Sequence, residues 1–378
     1  MAGKLKARGA GMNEIRPALR LPLLAAGFIA LGLGVGAGLA RMGWTFPLPD
    51  PRLVAWHGPL MIAGFFGTVI SLERAVALAD PRAYLAPLAA ALGALALVAA
   101  MPLAAMLLFV AAGLALLAAS IAILLRQRAL FTLTLVLGAA CWTVGNLLWL
   151  AGSAMSAAVP WWIGFLVLTI AGERLELSRF LPPSRTARAV FVVIVATILG
   201  ALVVSLFFPH PGSAVQAAGL LALALWLARQ DIARRTVRER GLTRFIAVCL
   251  LSGFAWLGLG AMILLADGIF AMPGARDAGL HAILLGFVFS MVFGHAPIIF
   301  PAVTRAAMPY HWSFYVPLVL LQASLAIRIA GDLSGVADWR RLGGMANAAA
   351  LLLFVLGTLA AVVRGKLAAR GIRAGDPA

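Results

Sequence analysis

The chain has 378 residues, of which 63% are hydrophobic and 11% charged, and it carries a formal net charge of +17. A single soluble core could not use that much apolar side chain, so the class is integral membrane and water-soluble enzymes are excluded. The two cysteines, Cys141 and Cys249, stand far apart inside apolar stretches, which leaves no disulfide framework, no C-x-x-C pair and no C-x-x-C-H for covalent haem.

A helix needs about 20 mostly apolar residues to cross the hydrocarbon core. By that measure the chain reads as twelve spans: 21–41, 54–79, 84–101, 103–125, 130–151, 159–180, 187–208, 214–229, 243–266, 278–303, 313–330 and 343–364. The first run, Leu21 to Ala40, is about twice the usual signal-peptide core and is expected to stay as a helix. Within it Gly32, Gly34, Gly36 and Gly38 make two overlapping G-x-x-x-G spacings, which suit close approach of a neighbouring helix. Only Met101 and Pro102 separate the third and fourth spans, so a tight hairpin is expected. Trp161 and Trp162 open the sixth span where an outer aromatic belt belongs. The expected organisation is a basic cytoplasmic segment 1–20, one membrane domain 21–364 and a basic cytoplasmic tail 365–378.

Orientation follows from the basic residues, which collect in cytoplasmic loops. With the N-terminus inside, 24 of the 30 fall on the inner side, and only Arg41, Arg52, Arg276, Arg328, Arg340 and Arg341 fall outside. A missed or extra span would scramble that asymmetry, so both termini are expected in the cytoplasm. The same spread over many loops removes nucleic acid as a partner and leaves the lipid bilayer. The loop from Arg229 to Arg244, with six arginines, reads as an inside anchor, with contact to anionic headgroups as the rival reading. Pro209 to Gly212, between the seventh and eighth spans, reads as an outer loop.

Three spans share a pattern. The second has Gly64-Phe65 and then Glu73-Arg74; the sixth has Gly164-Phe165 and then Glu173-Arg174; the tenth has Gly286-Phe287 and then His295. The interval from glycine to polar residue is nine residues each time, and the spans are four apart, which predicts three pseudo-repeats of four helices.

An ionisable residue inside a membrane helix is costly and is a functional candidate by default. His57 begins the second span and His281 the tenth, both entered from the outer side, so the two imidazoles are expected at similar depth. Two neutral imidazoles can hold a metal or haem iron; a hydrogen-bonded helix-start histidine is the plain alternative. Aligned on Gly-Phe, His57 stands seven residues before its glycine and His281 five, a two-residue difference worth about 200° of helix rotation. That half turn suits helices using different faces to meet in one pore. Met61, one turn below His57, is an alternative soft ligand, more often packing. Glu73 and Glu173 align with His295, and two carboxylates with an imidazole could hold a hard metal, although each Glu has an adjacent Arg to pair with. On an unbroken α-helix Glu73 lies about 160° around from His57, and His295 lies about 21 Å along and about 40° off the face of His281. His210 reads as a loop residue without a role, and His311, in the inner loop after the tenth span, as mostly solvated.

With His57 on the second span and His281 on the tenth, the chain resembles the heme-copper oxidase subunit I superfamily, whose twelve helices form three groups of four. More specifically it resembles the NnrS family of haem- and copper-associated membrane proteins linked to nitric oxide stress. That similarity rests on Trp56-His57-Gly58-Pro59-Leu60-Met61 followed by Gly64, and on His281 through Gly294-His295. It implies haem b with His57 and His281 as axial ligands, in a bacterial-type inner (plasma) membrane, with copper or another metal as a further expectation. The chain departs from both families. It lacks the richer His-x-His-Glu-Met run usual in NnrS proteins, reads Ala-Pro-Ile after Gly294-His295, and has no histidine on the sixth span and none on the seventh before His210. The family's copper site therefore does not carry over, and a terminal oxidase reaction is not expected.

The resulting reading is an all-α, twelve-helix, oxidase subunit I-like membrane protein that binds haem b. Its role would lie in redox or nitric oxide stress handling, with an unidentified electron donor. Two alternatives stay open: a transporter or channel using polar positions such as Asn146, Ser290 and Gln322, and a haem-free assembly or structural protein.

Overall fold

The computed structural model describes residues 15–45, 47–177 and 183–374. Residues 1–14 of the basic N-terminal segment, 178–182 of a basic loop and the last four residues of the tail lie outside them. Among the described residues the chain is entirely helical and strand-free. Twelve helices are long and apolar enough to cross a membrane: α1 (Pro17–Arg41), α2 (Pro51–Leu78), α3 (Pro81–Val98), α4 (Pro102–Arg126), α5 (Leu130–Leu150), α6 (Met155–Leu177), α7 (Arg185–Ser205), α8 (Pro209–Gln230), α9 (Gly241–Phe270), α10 (Ala275–Thr304), α11 (Trp312–Ser334) and α12 (Ala337–Leu367). Each corresponds to one expected span, and the protein is a multi-pass membrane protein.

The differences lie at the ends and have local causes. Pro51, Pro81, Pro102 and Pro209 each sit in the first turn, where proline's missing N–H costs nothing. The expected outer loop at Pro209 to Gly212 is therefore the first turn of α8, and His210 belongs to the helix. Asp50-Pro51-Arg52 and Asp80-Pro81-Arg82 are the same device used twice: the aspartate carboxylate accepts from the arginine backbone N–H, at 2.7 and 2.9 Å, and opens a 3₁₀ turn into the span. The Arg52 side-chain hydrogen bond holds the exposed Asp50 carboxyl below its ordinary range. Arg20, expected in the segment before the membrane, is fully buried in α1 and donates to the carbonyls of Ile15 and Val303. A guanidinium with carbonyl partners at a helix end is tolerable inside the apolar layer.

The chain divides into two compact units. The first comprises Met1–Arg41, Thr45–Phe165 and Ala302–Arg305. In it a small residue repeatedly faces a large one. Gly67 leaves room for the Trp142 ring, a β-carbon there would overlap that ring, and Trp142 stacks on Phe165 at 5.0 Å. The second unit comprises Met42–Trp44, Leu166–Pro301 and Ala306–Ala378. There α9 and α10 approach through Gly260 and Gly279, a β-carbon on Gly260 standing only 2.9 Å from the Gly279 carbonyl oxygen.

Gly274, just before α10, has φ +76°, and a β-carbon on it would run into the Asp332 carbonyl oxygen at the end of α11. Left-handed backbone and backbone contact together exclude any side chain. Gly274→Ala is expected to lower stability by about 1–3 kcal/mol, read from heat-induced loss of monodisperse protein in detergent. A variant as heat-resistant as the parent would refute that account.

α2 and α10 depart from the α-helix at matching places. Leu60–Phe66 and Ala282–Phe289 both wind as π-helix, with i→i+5 bonds. Aligned on Gly64-Phe65 and Gly286-Phe287, the two π segments begin at the same position. α6, the third member of the expected repeat, is α-helical from Met155 to Leu177. Winding of this kind turns less per residue than an α-helix, so the 160° between His57 and Glu73, and the 40° and 21 Å between His281 and His295, do not hold. The half-turn offset is unaffected, because the two residues that create it, Gly58 and Pro59, lie in the α-helical stretch His57–Pro59.

Candidate functional site

His57 enters α2 directly after the 3₁₀ turn that Asp50 caps. Its ring lies against α1, where Nδ1 is 2.7 Å from the Gly34 carbonyl oxygen and must donate to it. Gly38, one turn along α1, makes room for the ring: a β-carbon there would stand 2.9 Å from His57 Cε1. Gly34 does the same for Met61, with a β-carbon 2.7 Å from its sulfur. Two of the five glycines in the first span thus hold the two potential ligands, whereas Gly32 faces nothing within 4 Å. The Gly34 hydrogen bond fixes the neutral tautomer with the proton on Nδ1, and Nε2 keeps the lone pair that a metal or an iron takes.

His281 closes the first two turns of α10, immediately before the π segment. Its Nδ1 donates to the Asp277 carbonyl at 2.8 Å, so its Nε2 also carries the lone pair. Nη2 of the Arg328 guanidinium of α11 stands against both ring nitrogens, 3.1 Å from Nε2 and 3.3 Å from Nδ1. Arg328 also reaches Asp277 at 3.2 Å and Asp332 at 3.8 Å, and Asp332 pairs with Arg340 at 3.0 Å. Arg328 and Asp332 are buried inside α11. Arg328, counted on the outer side, thus lies within α11 as a buried partner of a histidine. A signal for it was present, since Arg328 and Asp332 stand four apart inside an otherwise apolar span.

His295, further along α10, repeats the arrangement. Nδ1 donates to the Met291 carbonyl at 2.7 Å, and Arg174 of α6 meets Nε2 at 3.2 Å. Arg174 is in turn gripped by Asp231, at 2.7 Å through Nε and 3.2 Å through Nη2. Asp231 follows α8 and also accepts the Ala233 N–H at 2.8 Å. Its side chain is 1% exposed and that of Arg174 5%, so both charges are out of water and each depends on the other. Nothing in the sequence joined Asp231 to Arg174, because they are 57 residues apart.

The expected carboxylate site takes a different form. Glu73 on α2 and Glu173 on α6 are half-buried, and each has a partner of its own. Glu173 acts on His295 electrostatically, but the direct contact on the imidazole is a guanidinium. Among the described residues no group of three or more His, Cys, Asp or Glu side chains is arranged to hold a metal ion.

The polar positions considered for a transport path are hydrogen-bonded within the bundle. Asn146 donates to the Phe109 carbonyl at 2.8 Å and accepts from Trp162 at 2.9 Å. Gln322 donates to Ser290 at 3.0 Å and to Ser252 at 3.3 Å, and accepts from Trp256. Both amides have donors and acceptors engaged, as helix-linking side chains do. Of the remaining histidines, His311 is half-buried rather than solvated, its Nδ1 accepting the Ser313 N–H at 3.2 Å as the cap of the turn into α11.

Comparison with curated proteins gives no match. A family model described as a domain of unknown function, DUF8744, matches residues 20–363, which takes in nearly every span and all the histidines discussed. The chain belongs to the DUF8744 family.

Proposed function

We propose that this protein is a haem-b-binding membrane protein similar to NnrS and oxidase subunit I, with His57 and His281 as the axial ligands. The observation that carries the reading is the matched local architecture of the two histidines. Each donates Nδ1–H to a backbone carbonyl, keeps its lone pair on Nε2, and stands just before a π segment that begins at the same aligned residue. A histidine that binds metal is normally oriented by such a second-nitrogen bond, and π segments gather at functional sites. On donor chemistry the residues fit the group. At His281, ligation requires Arg328 to move off the ring, and its link to Asp277 gives it a place to remain.

Bound haem would supply one-electron redox chemistry. The chain's own residues orient the two imidazoles. The missing histidines on α6 and on α7 argue for redox or nitric oxide stress handling without a complete haem-copper centre. The common π segment also supports kinship between α2 and α10, and with it three groups of four helices. A reduced-minus-oxidised spectrum of the detergent-purified protein, made with ample haem, tests the reading. Soret and α bands are expected; their absence, with no haem extractable from folded protein, would overturn it.

The proposed setting is a bacterial-type inner membrane with both termini in the cytoplasm. Cys141 and Cys249 are buried, which gives a quiet background for thiol labelling. In intact cells a membrane-impermeant maleimide should modify His210→Cys and spare Arg238→Cys, both positions being exposed. The reverse pattern would invert the topology.

A further inference from the structure

Two neighbouring cavities in the second unit have neither His281 nor His295 in their walls. One, of 360 Å³, is an apolar groove walled by Phe293, Phe314, Leu353, Phe354 and Gly357 and closed at one end by Phe245. The other, of 460 Å³, is polar and is lined by Arg240, Arg244, Tyr310 and Tyr315. Phe245 stands between them, with its ring 6.3 Å from that of Tyr310, 5.1 Å from that of Tyr315 and 5.8 Å from that of Phe314. The polar pocket sits where α9 begins and α11 is about to begin, at one end of both spans, and the groove runs from there along α10 and α12.

We propose that the two cavities form one binding site for an anionic phospholipid, independent of the haem reading. The phosphate lies on Arg240 and Arg244 beside the two tyrosine hydroxyls, and an acyl chain lies in the groove. The charge argument is direct. The segment Arg229–Arg244 carries six arginines and two acids, Asp231 and Glu239, and Asp231 is taken by buried Arg174. No carboxylate pairs with Arg240 or Arg244 among the described residues, and arginine suits phosphate through its fork of donors. The groove distinguishes a lipid from a free anion. Its walls are aromatic and aliphatic, its outer edge carries the exposed Val316 and Leu356, and 360 Å³ falls within the range of about 300–1,000 Å³ usual for ligand sites. A general inside anchor needs charge alone; it does not need a tyrosine-lined pocket with an apolar groove on the far side of Phe245.

Gly357 offers a clean block, because a β-carbon there meets nothing within 4 Å and a larger side chain would grow into the groove. Native mass spectrometry of the full chain in detergent is the test, with phosphatidylglycerol, phosphatidylcholine of the same chains, or inorganic phosphate added. One phosphatidylglycerol is expected to stay bound under activation that strips phosphatidylcholine, and phosphate is expected neither to bind nor to compete. Arg240→Gln with Arg244→Gln should weaken retention by about tenfold or more, and Gly357→Leu should weaken it with both arginines intact. Equal retention of the two lipids, or full retention in both variants, would overturn the proposal. Competition by phosphate alone would also overturn it, by making the ligand a free anion. If the double arginine variant does not fold, Gly357→Leu decides the outcome by itself.

Discussion

His57→Ala and His281→Ala are each expected to abolish the low-spin haem spectrum or convert it to high spin, while His295→Ala leaves it unchanged. Iron held by two imidazoles is six-coordinate, and removing one leaves an open position. The variants should differ in detail because the two rings are held differently. His57 is packed against α1 by its bond to Gly34 and its fit against Gly38, so His57→Ala leaves a ring-sized space lined by backbone. Added imidazole should enter it and restore the low-spin bands. His281 is held by Asp277 and Arg328, and its loss leaves that guanidinium without its imidazole partner, so rescue should be poorer. His295 is engaged by Arg174 and stands further along α10, beyond the π segment. Unchanged spectra in both the His57 and His281 variants would defeat the ligand assignment. Loss of the low-spin bands in His295→Ala alone would move it to the second half of α10.

Asp231→Ala is expected to be the most damaging single change outside the histidines. It removes the carboxylate that neutralises a guanidinium 5% exposed to solvent. Breaking a buried pair from one side costs about 3–5 kcal/mol, because the remaining charge is stranded. Replacing both members, Arg174→Met with Asp231→Leu, should recover most of that loss, since the desolvation cost of both charges disappears with them. The measurement is the fraction of detergent-solubilised protein that stays monodisperse through a temperature ramp. A single variant as stable as the parent would mean the pair contributes little. A double variant as unstable as the single would mean that the Ala233 cap made by Asp231 is the important bond.

Class, number of spans and most span positions were legible in the sequence because hydrocarbon imposes one strong rule. Every backbone polar group must be bonded within its own helix, and about 20 apolar residues are needed to cross. That rule acts locally, so composition and run length carried it. His57 and His281 were legible as candidates for the same reason: an ionisable group in such a run is unusual. The Gly34 and Gly38 spacing likewise foretold a close approach, and tertiary structure added that the guests are Met61 and His57.

What the sequence could not supply depends on contacts between distant segments. Hydrophobic periodicity has no contrast in helices that are apolar nearly all round, so the π segments of α2 and α10 left no trace in the pattern, and angles counted through them were wrong. The partners of the imidazoles were equally hidden. Arg174 appeared to belong with its neighbour Glu173 and Arg328 with an outer loop, whereas folding gave the first to Asp231 and His295 and the second to Asp277 and His281. A guanidinium out of water must find a carboxylate or a lone pair, and which one lies within about 3 Å is decided by helix packing rather than by distance along the chain.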